Sequence, residues 1–395
     1  MQKQKLAPEI RFKGFEEEWN QKVINQTLIP VISTLTMSNV QGKGEILLFD
    51  ANSIVGYSSY ALSSVPYLTI IKDGAGVGRI RKLPGNSAFL GTMTGLIPRN
   101  VDIDFIHSLI STLSLEKSFS GSTIPHIYFS DYGKLKIYIP YFSEQQKIGQ
   151  FFSSIDSLIQ SQELKLKKLN EIKQSLLSKM FASENQKFPE IRFKGFDDEW
   201  VKFKLGDIGI FNSNGVDKVF REKDNAVHMV NYMDVYNKVE ITLNNINRFM
   251  ITTANNSELI KNNLIKGDIL FTPSSETIDD IGHTFVVQET IPNLVYSYHL
   301  VRFRPNSEEF YETFANYCLD QKRLCEQYML RAQGVQRFVL NREHFNSLSV
   351  IKPSILEQKK INKFLFSLDS LIRSQELKLE KLNNIKQALL EKMFC

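Results

Sequence analysis

Residues 8–19 read PEIRFKGFEEEW and residues 189–200 read PEIRFKGFDDEW, the only changes being two Glu-to-Asp exchanges. A longer match sets EQQKIGQFFSSIDSLIQSQELKLKKLNEIKQSLLSKMF at 144–181 against EQKKINKFLFSLDSLIRSQELKLEKLNNIKQALLEKMF at 357–394. Chance does not produce two such matches, so the chain is a tandem duplication, and this outranks any local reading. The first pair is offset by 181 residues and the second by 213, so the intervening segment is 32 residues longer at 201–356 than at 20–143. Those two segments show little resemblance to each other. The layout is variable, shared, variable, shared, with a period far too long for a solenoid.

The longer shared block reads as a helix. Its apolar residues fall at Ile155, Leu158, Ile159, Leu166, Leu169, Ile172, Leu176 and Met180, matched by Leu368, Leu371, Ile372, Leu379, Leu382, Ile385, Leu389 and Met393. A mean spacing near 3.5 is the seam of a coiled coil. Ser143 and Glu144 offer a cap and an acidic first turn. At 1.5 Å per residue, a helix over 143–181 is ~58 Å long. A single apolar stripe on so long a helix needs a partner, and the stripe of the other copy is the natural one. The chain can double back through the globular segment between them, giving an antiparallel pair with pseudo-two-fold symmetry. Gln162 and Gln375 interrupt the stripe at equivalent central points. In such a pair equivalent residues meet only at the centre, so the two glutamines face each other and set the register, as a lone polar seam residue does. The alternative is two exposed polar positions.

In the variable segments, Glu45–Phe49, Tyr67–Ile71, Lys136–Tyr141, Ile269–Thr272, Thr284–Gln288 and Leu300–Phe303 read as strands. Helices are expected near Phe105–Leu115 and Glu309–Tyr328. The fold class is α+β, two globules with mixed, curved sheets rather than a doubly wound parallel sheet. The domain limits are 1–142 for the first globule with its opening motif, 143–187 for the first long helix, 188–355 for the second globule and 356–395 for the second helix.

The chain has 395 residues, 42% hydrophobic and 23% charged, the make-up of an ordinary soluble protein of two or three domains. Cys318, Cys325 and Cys395 form no disulfide framework, the N-terminus has no apolar leader, and no apolar run reaches about 18 residues. A cytoplasmic protein with no membrane partner is expected. There is no phosphate loop, no His/Cys cluster at metal-ligand spacing and no nucleophile elbow, and no methyltransferase or nuclease motif appears. Asp73-Gly-Ala-Gly-Val-Gly78 invites a nucleotide-binding reading, but its spacing fits a turn between strands better. Asp279 and Asp280 read as a solvated loop. The chain is not expected to be an enzyme by itself.

Charge is mild, with 10 basic against 7 acidic residues in 20–143 and 17 against 18 in 201–356. Basic clusters occur at Lys72, Arg79, Arg81 and Lys82, and at Lys322, Arg323, Arg331, Arg337 and Arg342. Ser122, Thr123, Gln333 and Gln336, able to read base edges, lie beside them. As charge runs alone they fit solvated faces better than a binding surface.

Gly121-Ser-Thr-Ile-Pro-His126, then Asp131…Leu135-Lys-Ile-Tyr-Ile-Pro140, then Glu144-Gln145…Ile148…Ile155-Asp156…Ile172-Lys173…Leu176-Leu177 resembles the specificity subunit of type I restriction–modification enzymes. The second half repeats the ending as Leu348…Ile351-Lys-Pro353, Glu357-Gln358…Ile361, Leu368-Asp369 and Ile385-Lys386, and adds Trp200…Leu205-Gly-Asp207 and Gly267-Asp-Ile-Leu270. The resemblance covers nearly the whole chain. One departure is Gln333-Gly-Val-Gln-Arg337, which stands where the first half has its Gly-Ser-Thr-Ile-Pro-His run.

The resemblance implies that each globule is a target-recognition domain reading one half of a bipartite double-stranded DNA site. It implies that the helices are the spacer and the dock for two methyltransferase subunits. Those subunits would use S-adenosylmethionine to methylate adenine N6, and restriction subunits would translocate and cut with ATP and Mg²⁺. No cofactor is expected on this chain. DNA contacts are expected from Lys72, Arg79, Arg81, Ser122, Thr123 and His126, and from Ser274, Ser275, Arg331, Gln333, Gln336 and Arg337. The rival readings are the specificity subunit of another multisubunit restriction system and a coiled-coil adaptor that binds proteins. A gel shift with random duplex DNA, repeated with a methyltransferase partner present, should retard the DNA for either specificity subunit and leave it unshifted for the adaptor.

Overall fold

A computed structural model describes residues 7–74, 76–121, 125–182 and 186–394. The chain forms two compact units, Met1–Leu166 with Gln375–Cys395, and Lys167–Ser374. Each unit therefore holds one globular head, part of the long helix Phe142–Met180 and part of the long helix Ile355–Met393.

In the first unit, Leu28–Ile32, Met93–Pro98, Tyr67–Ile71 and Ile80–Leu83 form an antiparallel four-stranded sheet in that order. Ile54–Ser58, Ile46–Phe49 and Ser87–Phe89 form a three-stranded sheet whose last pair is parallel. Tyr67–Ile71 is buried at every position, as its unbroken apolar and β-branched sequence requires of an interior strand. The helix Ile103–Ser111 starts at Asp102, whose side chain accepts from the N–H groups of Asp104 and Phe105 at 3.0 and 2.9 Å.

The second unit repeats this plan despite the dissimilar sequence. Gly209–Asn212, Val301–Pro305, Ile269–Phe271 and Thr284–Val286 form the four-stranded sheet, and Met250–Ala254, Asn225–Val230 and Leu294–Tyr296 the three-stranded one, again with a parallel last pair. Part of the added length falls between Asn225–Val230 and Met250–Ala254, where the helix Tyr232–Tyr236 and the turn Leu243–Arg248 replace the short connection 50–53. In each head the first strand closes on the last: Asn20–Val23 pairs Lys136–Ile139, and Val201–Lys204 pairs Ser349–Lys352.

The shared motifs join heads to helices. In the first unit the Arg11 guanidinium donates to both oxygens of Glu144 at 2.6 and 2.7 Å, with Glu144 only 1% exposed. In the second, Arg192 grips Glu357, equally buried, at 2.8 and 2.8 Å. The neighbouring glutamine of each helix holds the head: Gln145 bonds Pro140 O and Asp102 N, and Gln358 bonds Pro353 O and Tyr311 N. The opening motif also meets the end of the other long helix. Ile10 N–H donates to Lys392 O in the first unit and Ile191 N–H to Lys179 O in the second. Trp19 packs edge-on to Phe394, and Trp200 to Phe181.

The long helices are antiparallel. In the first unit Lys386 pairs Asp156 at 2.6 Å, and the Gln162 amide donates to Gln375 Oε1 with both side chains buried. In the second unit Lys173 pairs Asp369 at 2.7 Å, the same interaction with the copies exchanged. Two details differ from the sequence reading. Ser143 is no cap, because the helix begins at Phe142 and the Tyr141 carbonyl takes the N–H groups of Glu144 and Gln145; Ser354 does this for the other helix. The stripe is also only partly covered, since Leu158, Ile172, Leu371 and Ile385 stay exposed while Ile155, Ile159 and Ile372 are buried. None of the described helices is long and apolar enough to cross a membrane.

Removing one partner of a buried ion pair leaves an uncompensated charge, at a cost of roughly 3–5 kcal/mol. Arg192→Ala should therefore lower stability by about 3 kcal/mol in urea unfolding, whereas the double change Arg192→Met with Glu357→Leu should restore most of it.

Candidate nucleic-acid interface

In both heads a hairpin tip is laid across the end of the same sheet. In the first head Phe119–Ser120 pairs His126–Ile127, and His126 bridges to Asp73, just past the interior strand. Ile127 N–H donates to Lys72 O at 2.9 Å and Gly74 N–H to Pro125 O at 3.3 Å. In the second head Phe338–Val339 pairs Ser274–Ser275, and Leu340 N–H donates to Pro273 O at 2.8 Å. Matching these bonds aligns His126–Ile127 with Val339–Leu340, and the same offset sets Gly121 against Gly334. Both glycines have positive φ, 91° and 129°. At Gly334 an added Cβ would lie 2.0 Å from Arg337 O, so no other residue makes this turn.

The first-head candidates fall into two groups. Lys72 and His126 share the crossing, where His126 Nδ1 is 2.7 Å from Asp73 Oδ1 and its ring stacks near Tyr128. Arg79 donates to Ala51 O and Asn52 Oδ1 at 2.6 Å each, and half-buried Arg81 lies 5.1 Å over the Phe49 ring. Both arginines thus serve the connection between two strands of the smaller sheet, and Lys82 is taken by Asp104. Of the Asp73–Gly78 run, the described residues Asp73, Gly74 and 76–78 lie in the turn between antiparallel strands Tyr67–Ile71 and Ile80–Leu83. Ser122 and Thr123 lie outside the described residues, as do the side chains of Lys322 and Arg323.

The second head gathers its candidates more closely. Gln333 pairs its backbone with Val339, and Gln336 and Val335 stand exposed at the tip. Exposed Arg337 donates to Ser274 Oγ at 3.2 and 3.0 Å. Tyr232 Oη donates to Ser274 O, Tyr236 stacks near Tyr232, and His283 meets Tyr236 edge-on while bonding Asp280. The Asp279–Asp280 pair is thus a short 3-10 turn serving His283. Burial first, then the positive charges of Lys218 and Arg337, push His299 below the usual histidine value, so it is neutral at pH 7. The result is a cationic and aromatic surface with amide and hydroxyl groups, the chemistry that holds phosphates and reads base edges.

Two second-head candidates have internal duties instead. Ser275 is buried and its Oγ accepts from Thr277 N–H. Arg331 is spent on Ser347 Oγ at 2.9 Å and Gln327 O at 3.1 Å. Sequence reading missed Tyr232, Tyr236 and His299, because they come from elements distant in the chain. The length excess of the second segment was the available signal. Among the described residues no group of three or more His, Cys, Asp and Glu is placed to hold a metal.

The two heads share one framework, and each is followed by a copy of the same long helix. A model of the type I restriction modification DNA specificity domain matches residues 9–174 and again 197–384, and the chain belongs to that family. Its role is DNA sequence recognition as the specificity subunit of a type I restriction–modification system. The chain is similar to the type I restriction enzyme MjaVIII specificity subunit of Methanocaldococcus jannaschii, at 21% identity over 342 residues, 82% of this chain and 77% of that one. In fold it is similar to the type I restriction–modification system S subunit from M. genitalium, with a TM-score of 0.66 at 17% identity over 98% and 99% of the two chains. A chain from a structural study of assembly and conformational transition in the type I system gives 0.52 at 14% identity, over 96% and 98%.

Gly334→Ala should displace the tip without unfolding the head. Specific duplex binding should fall by at least about tenfold, about 1.4 kcal/mol, in an anisotropy titration, with the melting transition shifted little.

Proposed function

We propose that each head reads one half of a bipartite duplex target, the first through Ser122, Thr123 and His126 and the second through Gln333, Gln336 and Arg337 with Tyr232 and Tyr236 behind them. The observation that carries this is that His126–Ile127 and Val339–Leu340 make the same backbone bonds to equivalent points of their heads while the side chains around them differ. One frame delivering two chemistries suits two different half-sites. The long helices set the separation of the half-sites, with Gln162 and Gln375 as the register pair. Contacts about one duplex turn (~34 Å) apart would share one face of the DNA.

The helices also carry two methyltransferase subunits. The apolar positions left open, Leu158, Leu164 and Ile172 with Leu371, Leu377 and Ile385, recur at equivalent points of both copies, as a surface for two like partners would. In this reading the partner subunits bring S-adenosylmethionine for adenine N6 methylation, and restriction subunits bring ATP and Mg²⁺. This chain supplies specificity and no catalytic residue, in the cytoplasm. Its mild charge fits that division, because partners provide part of the phosphate contact that dominates affinity.

Methylation mapping of genomic DNA from cells carrying this chain with its methyltransferase should return a gapped, two-part, adenine-methylated motif. A continuous motif, or none, counts against the reading. Alanine at Gln336 or Arg337 should relax the requirement at one half-site only, by roughly 1–3 kcal/mol of base discrimination; equal relaxation of both halves would remove the assignment.

A further inference from the structure

The first turns of the two long helices, 144–157 and 357–370, differ at six positions, and four of these lie on one face. Gln146, Gly149, Gln150 and Ser153 in the first copy become Lys359, Asn362, Lys363 and Phe366 in the second, at the i, i+3, i+4, i+7 spacing of a single helical stripe. The other two changes exchange one apolar residue for another. Within this stretch, which keeps its ion pairs and seam, the polar divergence thus falls on one face.

What that surface borders differs between the units. In the first, Gly149 lies so close to the helix Ile103–Ser111 that a Cβ would fall 2.4 Å from Asp102 Oδ1. The hollow beside it, 300 Å³, is lined by uncharged Gln and Ser side chains and by Asp102 and Asp104. In the second, buried Asn362 instead accepts from Thr313 Oγ1 at 3.0 Å, and the face opens on a groove of 480 Å³. Val286 and Val287 line that groove, Phe366 stands in it 53% exposed, and Lys266, Lys359 and Lys363 outnumber one carboxylate, Glu312.

We infer that this groove docks an acidic peptide segment of a partner protein, one per chain. Lys359 and Lys363 are neighbours on successive turns, about 6 Å apart at the helix surface, and Lys266 faces the groove from the head. Carboxylates spaced along a strand or helix can meet all three, while an apolar side chain enters between Phe366 and the two valines. The groove is too small for a duplex and holds no cluster of backbone donors of the kind that cradles phosphate. The corresponding hollow of the first unit has no lysine in its lining and presents Asp102 and Asp104, so it offers the same segment no counter-charge. The scaffold can therefore distinguish its two halves, accepting a single-copy partner beside the second head only. This does not depend on how either head reads DNA.

The test is fluorescence anisotropy of the full chain at low salt with a labelled synthetic peptide of glutamates interleaved with leucine and tryptophan. A lysine-for-glutamate counterpart serves as control. The acidic peptide should bind saturably at one site and the control should not. The triple change Lys359→Gln, Lys363→Gln, Phe366→Ser installs the residues of the first copy on an exposed face, and should weaken binding at least about tenfold with an unchanged melting transition. Lys266→Glu, on the opposite wall, should do the same, whereas Gln146→Lys should have no effect. Absence of binding, indifference to both the triple change and Lys266→Glu, or equal displacement by inorganic polyphosphate or short duplex DNA would overturn the proposal.

Discussion

The grip of an arginine on a glutamate buried at the start of each long helix is the contact on which the rest of the molecule depends. Arg11 and Glu144, and Arg192 and Glu357, place a full charge pair where only 1% of the glutamate meets solvent. Such a pair is tolerated because the geometry is bidentate and both carboxylate oxygens are satisfied. Its value is positional more than energetic. The strap that carries the arginine also receives the last turn of the other helix, through Ile10 and Lys392 or Ile191 and Lys179. One short motif therefore ties together the head, the beginning of one helix and the end of the other.

With that junction constant, the heads are free to diverge. Their four-stranded and three-stranded sheets keep one strand order in both units although the sequences share little. What each framework requires is alternating or continuous apolar strands, which many sequences satisfy, and a glycine at the tip of the crossing hairpin, which only one residue type satisfies. In the proposed reading, recognition chemistry is carried where the frame imposes least, on the tip and on inserted elements such as Tyr232–Tyr236.

The same logic separates the charged residues that serve the fold from those left exposed at the surface. Arg304 is held by buried Asp268, and Arg302 is pressed below its usual basicity by burial while it bonds Lys261 O and Asn263 O. Arg331 and Arg79 are likewise engaged with their own head. Arg337 is exposed and tied only to a hydroxyl, a contact that a phosphate or a base edge can replace with a stronger one.

Read by itself, the sequence determined the duplication, the presence and starting points of the long helices, six of the strands and the family resemblance. These follow from patterns that are periodic or repeated, and a repeat written twice in one chain is its own alignment. The meeting of Gln162 with Gln375 was legible for the same reason, because symmetry alone brings equivalent residues together at a centre. Only the tertiary structure decided that the two heads share one topology, since strand order leaves no trace in residue identity. It also decided which basic residues are free, because Arg331 and Arg337 look alike in sequence and differ only in what lies beside them. The covering of the apolar stripe was settled there too: a spacing near 3.5 marks which residues share a face, whereas solvent exposure depends on how far the partner helix reaches around it.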